Sequence, residues 1–80
     1  MELQEIKNRT KTIIADVIGC DLEEVVDNAT FNDLGGDSLD AVEIMMNCER
    51  DFHISIPDEE FEATQTVGQY IELVASKVII

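Results

Sequence analysis

From Leu3 to Ile18 the apolar residues Leu3, Ile6, Ile13, Ile14, Val17 and Ile18 fall mostly on one face of a 3.6-residue repeat, which predicts a first helix closed by Gly19. The stretch from Cys20 to Gly36 mixes Asp, Asn and Gly with scattered apolar residues. It reads as a long ordered loop, pinned to a core by Leu22, Val25, Val26, Phe31 and Leu34. A second helix should start at Asp37 or Ser38 and run to about Asp51, because good helix formers dominate and neither Gly nor Pro interrupts them. FHISIP, residues 52–57, alternates apolar and polar positions, but a lone strand would have no partner in so helical a chain. An extended connector is expected instead, with Ile56 pushed away from helical geometry by the proline that follows. Pro57 can then open a short helix through DEEF, whose acids suit the positive helix end. Thr66 and Gln69 have capping-box spacing, and Val67, Tyr70, Ile71, Val74 and Val78 continue as a final helical stripe. The fold class expected is all-α: a small bundle of three main helices plus one short helix, with a long ordered loop between the first and second. No repeat, low-complexity run or domain boundary interrupts it, so residues 1–80 are expected to form a single domain.

The second helix is apolar on two sides rather than one. At about 100° per residue, Ala41, Ile44, Met45, Cys48 and Phe52 cluster on one side and suit a core. Leu39, Val42 and Met46 cluster well over a quarter turn away. A small bundle cannot easily bury both sides, so part of the second stripe should face solvent. Asp40 and Glu43, three residues apart, edge that stripe as neighbouring like charges. Such a strip can be a docking surface for a basic, partly apolar partner, or simply the margin of a broad core stripe with a solvated acidic edge.

Composition narrows the partners. Only 5 Lys and Arg stand against 18 Asp and Glu, a net charge of -13, while 45% of the residues are hydrophobic. That combination describes a folded acidic protein rather than a disordered tail. The charge argues against nucleic acid and anionic membranes, whose own negative charge would repel it, and favours basic protein surfaces. Eighty residues leave no room for a separate catalytic domain. Cys20 and Cys48 are far apart, and with His53 as the one histidine they cannot complete a conventional zinc site; no metal is expected, and both thiols are expected to be buried structural residues. MELQEIKNRT lacks an apolar signal core, and no apolar run, the terminal VII included, exceeds three residues, so no transmembrane segment and a cytoplasmic location are expected.

The chemistry centres on LGGDSLD, Leu34 to Asp40. Asp37 suits a helix N-cap, with Ser38 in the first turn, and a pair of that kind often does nothing more. A serine-hydrolase elbow requires glycine two residues after the serine, where Asp40 stands, and His53 is the single candidate base. The ligand series of a calcium loop is missing too. A further reading makes Ser38 the substrate of another enzyme. Its hydroxyl would be exposed, a phosphodiester there would meet free backbone N–H groups, and Gly35 and Gly36 would let a modifying enzyme approach closely.

LGGDSLDAVEIMMNCERDFHISIPDEEF, residues 34–61, strongly resembles the acyl carrier protein family, in which a DSL motif at the start of the second helix carries 4'-phosphopantetheine on its serine. The likeness extends over nearly the whole chain, from the helix at Leu3 to the one ending near Val78. It implies that Ser38 accepts the arm from coenzyme A through a magnesium-dependent phosphopantetheinyl transferase. It further implies a non-enzymatic, monomeric carrier that presents thioester-bound acyl groups to acyl-transferring and biosynthetic enzymes with basic docking surfaces. By the same resemblance Asp37, Leu39, Asp40, Val42, Glu43, Met46 and Glu49 are the partner-docking residues, and Ile44, Met45, Cys48, Phe52 and Ile56 line an acyl pocket.

Two residues depart from the family pattern. Arg50 places a positive charge where fatty-acid carriers usually continue an acidic run, which narrows or redirects partner choice, and Cys48 stands where a larger aliphatic residue is common. The paired glycines of LGGDSL are also familiar from aminoacyl, peptidyl and polyketide-type carriers. The acidic helix and short chain favour a free-standing carrier of fatty-acid type. From a different class, an acidic helical interaction module without covalent cargo shares the same charge pattern.

The excess of acids strains the folded chain by self-repulsion, which counterions relieve. Millimolar magnesium should therefore raise the melting temperature; a melting temperature that stays flat or falls would contradict this account of the charge.

Overall fold

The computed structural model describes residues 2–78. Helix α1 spans Leu3–Ile18, α2 Ser38–Phe52, α3 Asp58–Glu62 and α4 Val67–Val78, with one 3-10 turn at Leu22–Glu24. No strand occurs among the described residues, and the chain is the all-α arrangement of three long helices and one short one. Of the terminal VII run, Ile79 and Ile80 lie outside the described residues. No helix among the described residues is long and apolar enough to cross a membrane.

Helix α1 lies against both α2 and α4, and α3 packs on α4. Its buried seam is Ile6, Thr10, Ile14 and Ala15, with Ile13, Val17 and Ile18 partly covered. Leu3, at the start of the apolar face, is mostly exposed, and the buried seam begins one turn later at Ile6. Gly19 closes the helix in the left-handed region at φ 83° and donates its N–H to the Ala15 carbonyl at 2.8 Å, which a residue without Cβ does at little cost. Helix α4 buries Val67, Tyr70, Ile71, Val74 and Ala75. The Thr66–Gln69 capping box forms, with the Gln69 N–H donating to Thr66 Oγ1 at 3.2 Å and the Thr66 N–H donating to Gln69 Oε1 at 3.3 Å.

The loop between α1 and α2 is ordered by polar contacts more than by the apolar pins expected from the sequence. Val25 and Ala29 are buried, and Phe31 and Leu34 are half-buried. Leu22, in the 3-10 turn, and Val26, just beyond it, are exposed, and the expectation that they anchor the loop is corrected. The ties that replace them run to α4: the Val67 N–H donates to the Ala29 carbonyl and the Gly68 N–H to the Asp27 carbonyl, each at 2.8 Å. A Cβ at position 68 would meet the Asp27 carbonyl at 3.1 Å, so a side chain there would push the loop back by a few tenths of an ångström. Thr30 and Asp33 exchange reciprocal bonds of 3.0 Å that repeat the logic of a capping box within the loop.

Residues 54–57 leave α2 as the extended connector expected, and the alternation of FHISIP becomes inward Phe52 and Ile56 against outward His53 and Ser55. Pro57 is the N-cap of α3 rather than its first helical residue. His53 ends α2 at φ 55°, an uncommon left-handed conformation for a residue with a side chain, and donates its N–H to the Glu49 carbonyl. Phe31 from the loop, Phe61 from α3 and Tyr70 from α4 meet as an aromatic triad, with centroids 5.5 to 6.5 Å apart.

Asp27 ties the loop to α1 as well as to α4, since its carboxylate bridges Lys7 at 3.2 Å and Lys11 at 3.4 Å. The hydrogen bond from Lys7 holds its carboxyl below the usual range, Lys11 adds to this, and partial desolvation works against it. With the folded pKa below the unfolded one, the stabilisation is present above the ordinary carboxylate pKa and is lost as pH falls through the folded value. Asp27→Asn should cost up to about 1 kcal/mol at pH 7, modest because the carboxylate is half-exposed. Urea titrations of both proteins should show that gap closing below about pH 4; a gap of equal size at pH 7 and pH 3 would mean the bridge is not its source.

Candidate functional site

The approach to Ser38 is built from the glycine pair. The Gly35 N–H donates to the Asn32 carbonyl at 3.0 Å and the Gly36 N–H to the Phe31 carbonyl at 2.8 Å, closing a turn in which Gly35 has φ 90°. Gly36 is buried, and a Cβ there would lie 2.9 Å from Ile18 Cδ1 and 3.2 Å from the Phe31 carbonyl oxygen. The pair is therefore required by backbone sign at Gly35 and by close packing on the end of α1 at Gly36. The reading that both glycines open access for a modifying enzyme is corrected at Gly36, which is turned inward.

That turn delivers Asp37 in an extended conformation as the N-cap of α2. Asp37 Oδ1 accepts from the Asp40 N–H at 3.0 Å, and Asp40 Oδ2 accepts from the Asp37 N–H at 3.2 Å, a complete capping box of the kind that stabilises by about 1 kcal/mol. Ser38 is the first helical residue, exposed, and its hydroxyl bonds to none of the described residues. The Ser38 and Leu39 N–H groups have no intrahelical acceptor, so the positive end of α2 faces the same solvent as the hydroxyl. Beside Ser38 opens a groove of about 270 Å³ whose other walls include Thr30, Phe31, Asn32, Ala41 and Gln65. An exposed hydroxyl, free N–H groups and an adjoining groove fit a phosphodiester-linked arm. Thr30, Phe31 and Gln65 were not singled out from the sequence for this site, because they come from the loop and the α3–α4 connection; the T-x-x-D spacing at Thr30–Asp33 was the one local sign that the loop is ordered here.

Core packing fixes how α2 is rotated. Ile44, Cys48 and Phe52 face inward, and Arg9 of α1 lies over the Phe52 ring at 5.0 Å from its centroid. The other apolar stripe consequently faces out, with Leu39 77%, Val42 45% and Met46 58% exposed. Asp37 and Glu43 are exposed beside it, and Asp40 is half-buried and engaged in the cap. Glu49 stands apart from the other acids: it is half-buried, and its Oε2 accepts from the Ile56 N–H at 2.8 Å, tying the connector to α2. Arg50 is largely exposed, 3.0 Å from Asn47 Oδ1 and 3.8 Å from Asp51 Oδ1.

Of the residues expected to line an acyl pocket, Ile44, Cys48, Phe52 and Ile56 belong to the buried core and Met45 packs at its margin. None of the five lines the surface groove beside Ser38. A larger groove of about 530 Å³ lies between α1 and α4, with walls that include Leu3, Asp27, Ile71 and Ala75; Ser38 does not border it. Burial pushes the Cys48 thiol up to about 11, so it is protonated and inert near neutral pH. Cys20 is half-buried rather than fully buried, which corrects the expectation for that thiol; burial, then Glu24 and Asp21, raise its pKa. Among the described residues no group of His, Cys, Asp or Glu forms a metal-holding cluster.

The family model described as a phosphopantetheine attachment site matches residues 8–74. An acyl carrier protein of Thermosynechococcus vestitus is 43% identical over 79 residues, covering 98% of both chains. The crystal structure of an acyl carrier protein from Thermotoga maritima superposes with a TM-score of 0.81 at 33% identity, covering 99% of this chain and 93% of that one. The groove-side serine, the helical order and the full-length match converge: this chain belongs to the acyl carrier protein family and carries acyl groups on a covalently attached 4'-phosphopantetheine.

Proposed function

We propose that Ser38 is the residue that bears the arm, and that residues 1–80 work as one monomeric, cytoplasmic, non-enzymatic carrier of fatty-acid type. The observation that carries the assignment is the position of Ser38: exposed, unbonded, first in α2, beside a groove and below two free backbone N–H groups. The bound arm supplies a terminal thiol that holds cargo as a thioester. The chain's own part is to hold the attachment oxygen at a rigid cap and to expose a surface that other enzymes recognise. His53, the one histidine, lies at the opposite end of α2, so the serine has no imidazole base at hand.

Partners of this family include the phosphopantetheinyl transferase and the biosynthetic enzymes that load and use the arm. Their docking surface here is Leu39, Val42 and Met46, edged by Asp37, Asp40, Glu43 and, further along, Glu49. Exposure of three large apolar side chains next to Ser38 supports that reading, since the solvent-facing side of a helix has no packing need for them. The acids would steer a basic partner toward the serine and set the salt dependence of encounter. Ile44, Met45, Cys48, Phe52 and Ile56 would line the space for a cargo chain once the packed interior parts around it; half-buried Met45, flexible and polarizable, is suited to yield first.

Intact mass after incubation with coenzyme A, magnesium and a phosphopantetheinyl transferase should rise by one phosphopantetheine, and Ser38→Ala should abolish the gain. An unchanged mass in the native chain would overturn the attachment assignment. Reversing Asp40 and Glu43 to Lys should slow transfer of the arm by roughly tenfold or more at low salt, with a weaker salt dependence than the native chain. Because Asp40 also caps α2, Glu43→Lys alone gives the cleaner reading; normal loading and partner binding by that variant would place the docking surface elsewhere.

A further inference from the structure

Two fully buried hydroxyls, Thr10 Oγ1 and Tyr70 Oη, have no hydrogen-bond partner. Buried polar groups are nearly always paired, so each such orphan needs an explanation. Tyr70 stands out by its surroundings. Its ring is held edge-on by Phe31 at 5.9 Å and Phe61 at 5.5 Å. The Cys48 thiol of α2 is near enough to interact with the phenol, a weak sulfur contact that each group feels in its titration and that falls short of a regular hydrogen bond. Phe31, against the Tyr70 ring, is also a wall of the groove beside Ser38. Phe31 thus joins the groove beside Ser38 to the Tyr70 ring, and Tyr70 lies next to Cys48 among the core residues of α2.

We infer that the Tyr70 hydroxyl determines cargo specificity, by hydrogen-bonding an oxygen substituent carried partway along an acyl chain that enters the bundle from the Ser38 groove. The inference rests on the carrier reading of Ser38. Tyr70 offers an O–H donor and Cys48 a protonated S–H donor, so the complementary group is an acceptor oxygen, a hydroxyl or a carbonyl on the chain. A saturated chain occupying the same space would gain its apolar contacts and leave the phenol orphaned, whereas an oxygenated chain satisfies it. Sites built around a buried polar group reject the analogue that lacks its partner more strongly than apolar pockets reject a change of size.

The test loads the arm-bearing protein with octanoyl or with 3-, 5- or 7-hydroxyoctanoyl groups and measures how fast hydroxylamine cleaves each thioester, since a chain held inside the bundle shields its carbonyl. At least one hydroxylated chain should be cleaved about fivefold more slowly than octanoyl, the ratio corresponding to one net neutral hydrogen bond. In Tyr70→Phe, which keeps the ring and its packing, that ratio should fall to one. Melting curves of the same loaded samples give a second readout, in which the slow-cleaving isomer melts highest in the native chain only. Equal cleavage of all four chains, or a preference that survives Tyr70→Phe, overturns the inference. A chain that accepts no arm overturns the attachment assignment and this inference with it; a loaded chain that shows no preference overturns this inference alone.

Discussion

The structure depends on a conflict within α2, which is apolar on two separate sides while only one can be buried. Ile44, Cys48 and Phe52 turn inward against α1 and the rest of the core. A helix advances 100° per residue, so that choice commits Leu39, Val42 and Met46 to solvent. The capping box of Asp37 and Asp40 then sets where the helix starts and leaves Ser38 as its first exposed residue. Ser38 and the apolar stripe are adjacent because one rotation and one start position define both.

The remaining elements keep that arrangement rigid. Asp27 joins α1, the long loop and α4 through its carboxylate and its backbone carbonyl, and Gly68 leaves the space in which the loop can lie on α4. Gly35 and Gly36 bring the chain from that loop into the cap, with Gly36 sealed against Ile18. At the far end of α2, Glu49 captures the connector through the Ile56 N–H, and Arg9 lies over the Phe52 ring. A thioester arm needs such a base. The cargo moves while the residues that partners would recognise stay in register with the serine.

Much of this was legible in the sequence, for identifiable reasons. Helical stripes, the Gly19 stop, the Thr66–Gln69 box and the start of α2 are local and periodic, and each is found where the spacing puts it. The double stripe on α2 was visible because it is a property of one helix alone. The long loop was harder to read. Leu22 and Val26 look like anchors on hydrophobicity, but loop side chains obey no period, and the real anchors are backbone bonds and the Asp27 bridges, which need partners distant in sequence. The walls of the Ser38 groove escaped for the same reason: Thr30 and Gln65 meet there only after the loop closes on α4. Glu49 shows the converse case. On a helical wheel it resembles its acidic neighbours, and only the folded connector gives it a structural hydrogen bond.

The central claim is that geometry singles out one serine of the three in the chain. Ser38 is exposed at a helix start with its hydroxyl unbonded, Ser55 lies in the extended connector, and the Ser76 hydroxyl donates to the Leu73 carbonyl at 2.7 Å near the end of α4. Fragmentation mass spectrometry of the modified chain locates the arm directly. The account predicts phosphopantetheine on the peptide containing Ser38, with Ser55 and Ser76 unmodified; an arm on either of those two serines would contradict it.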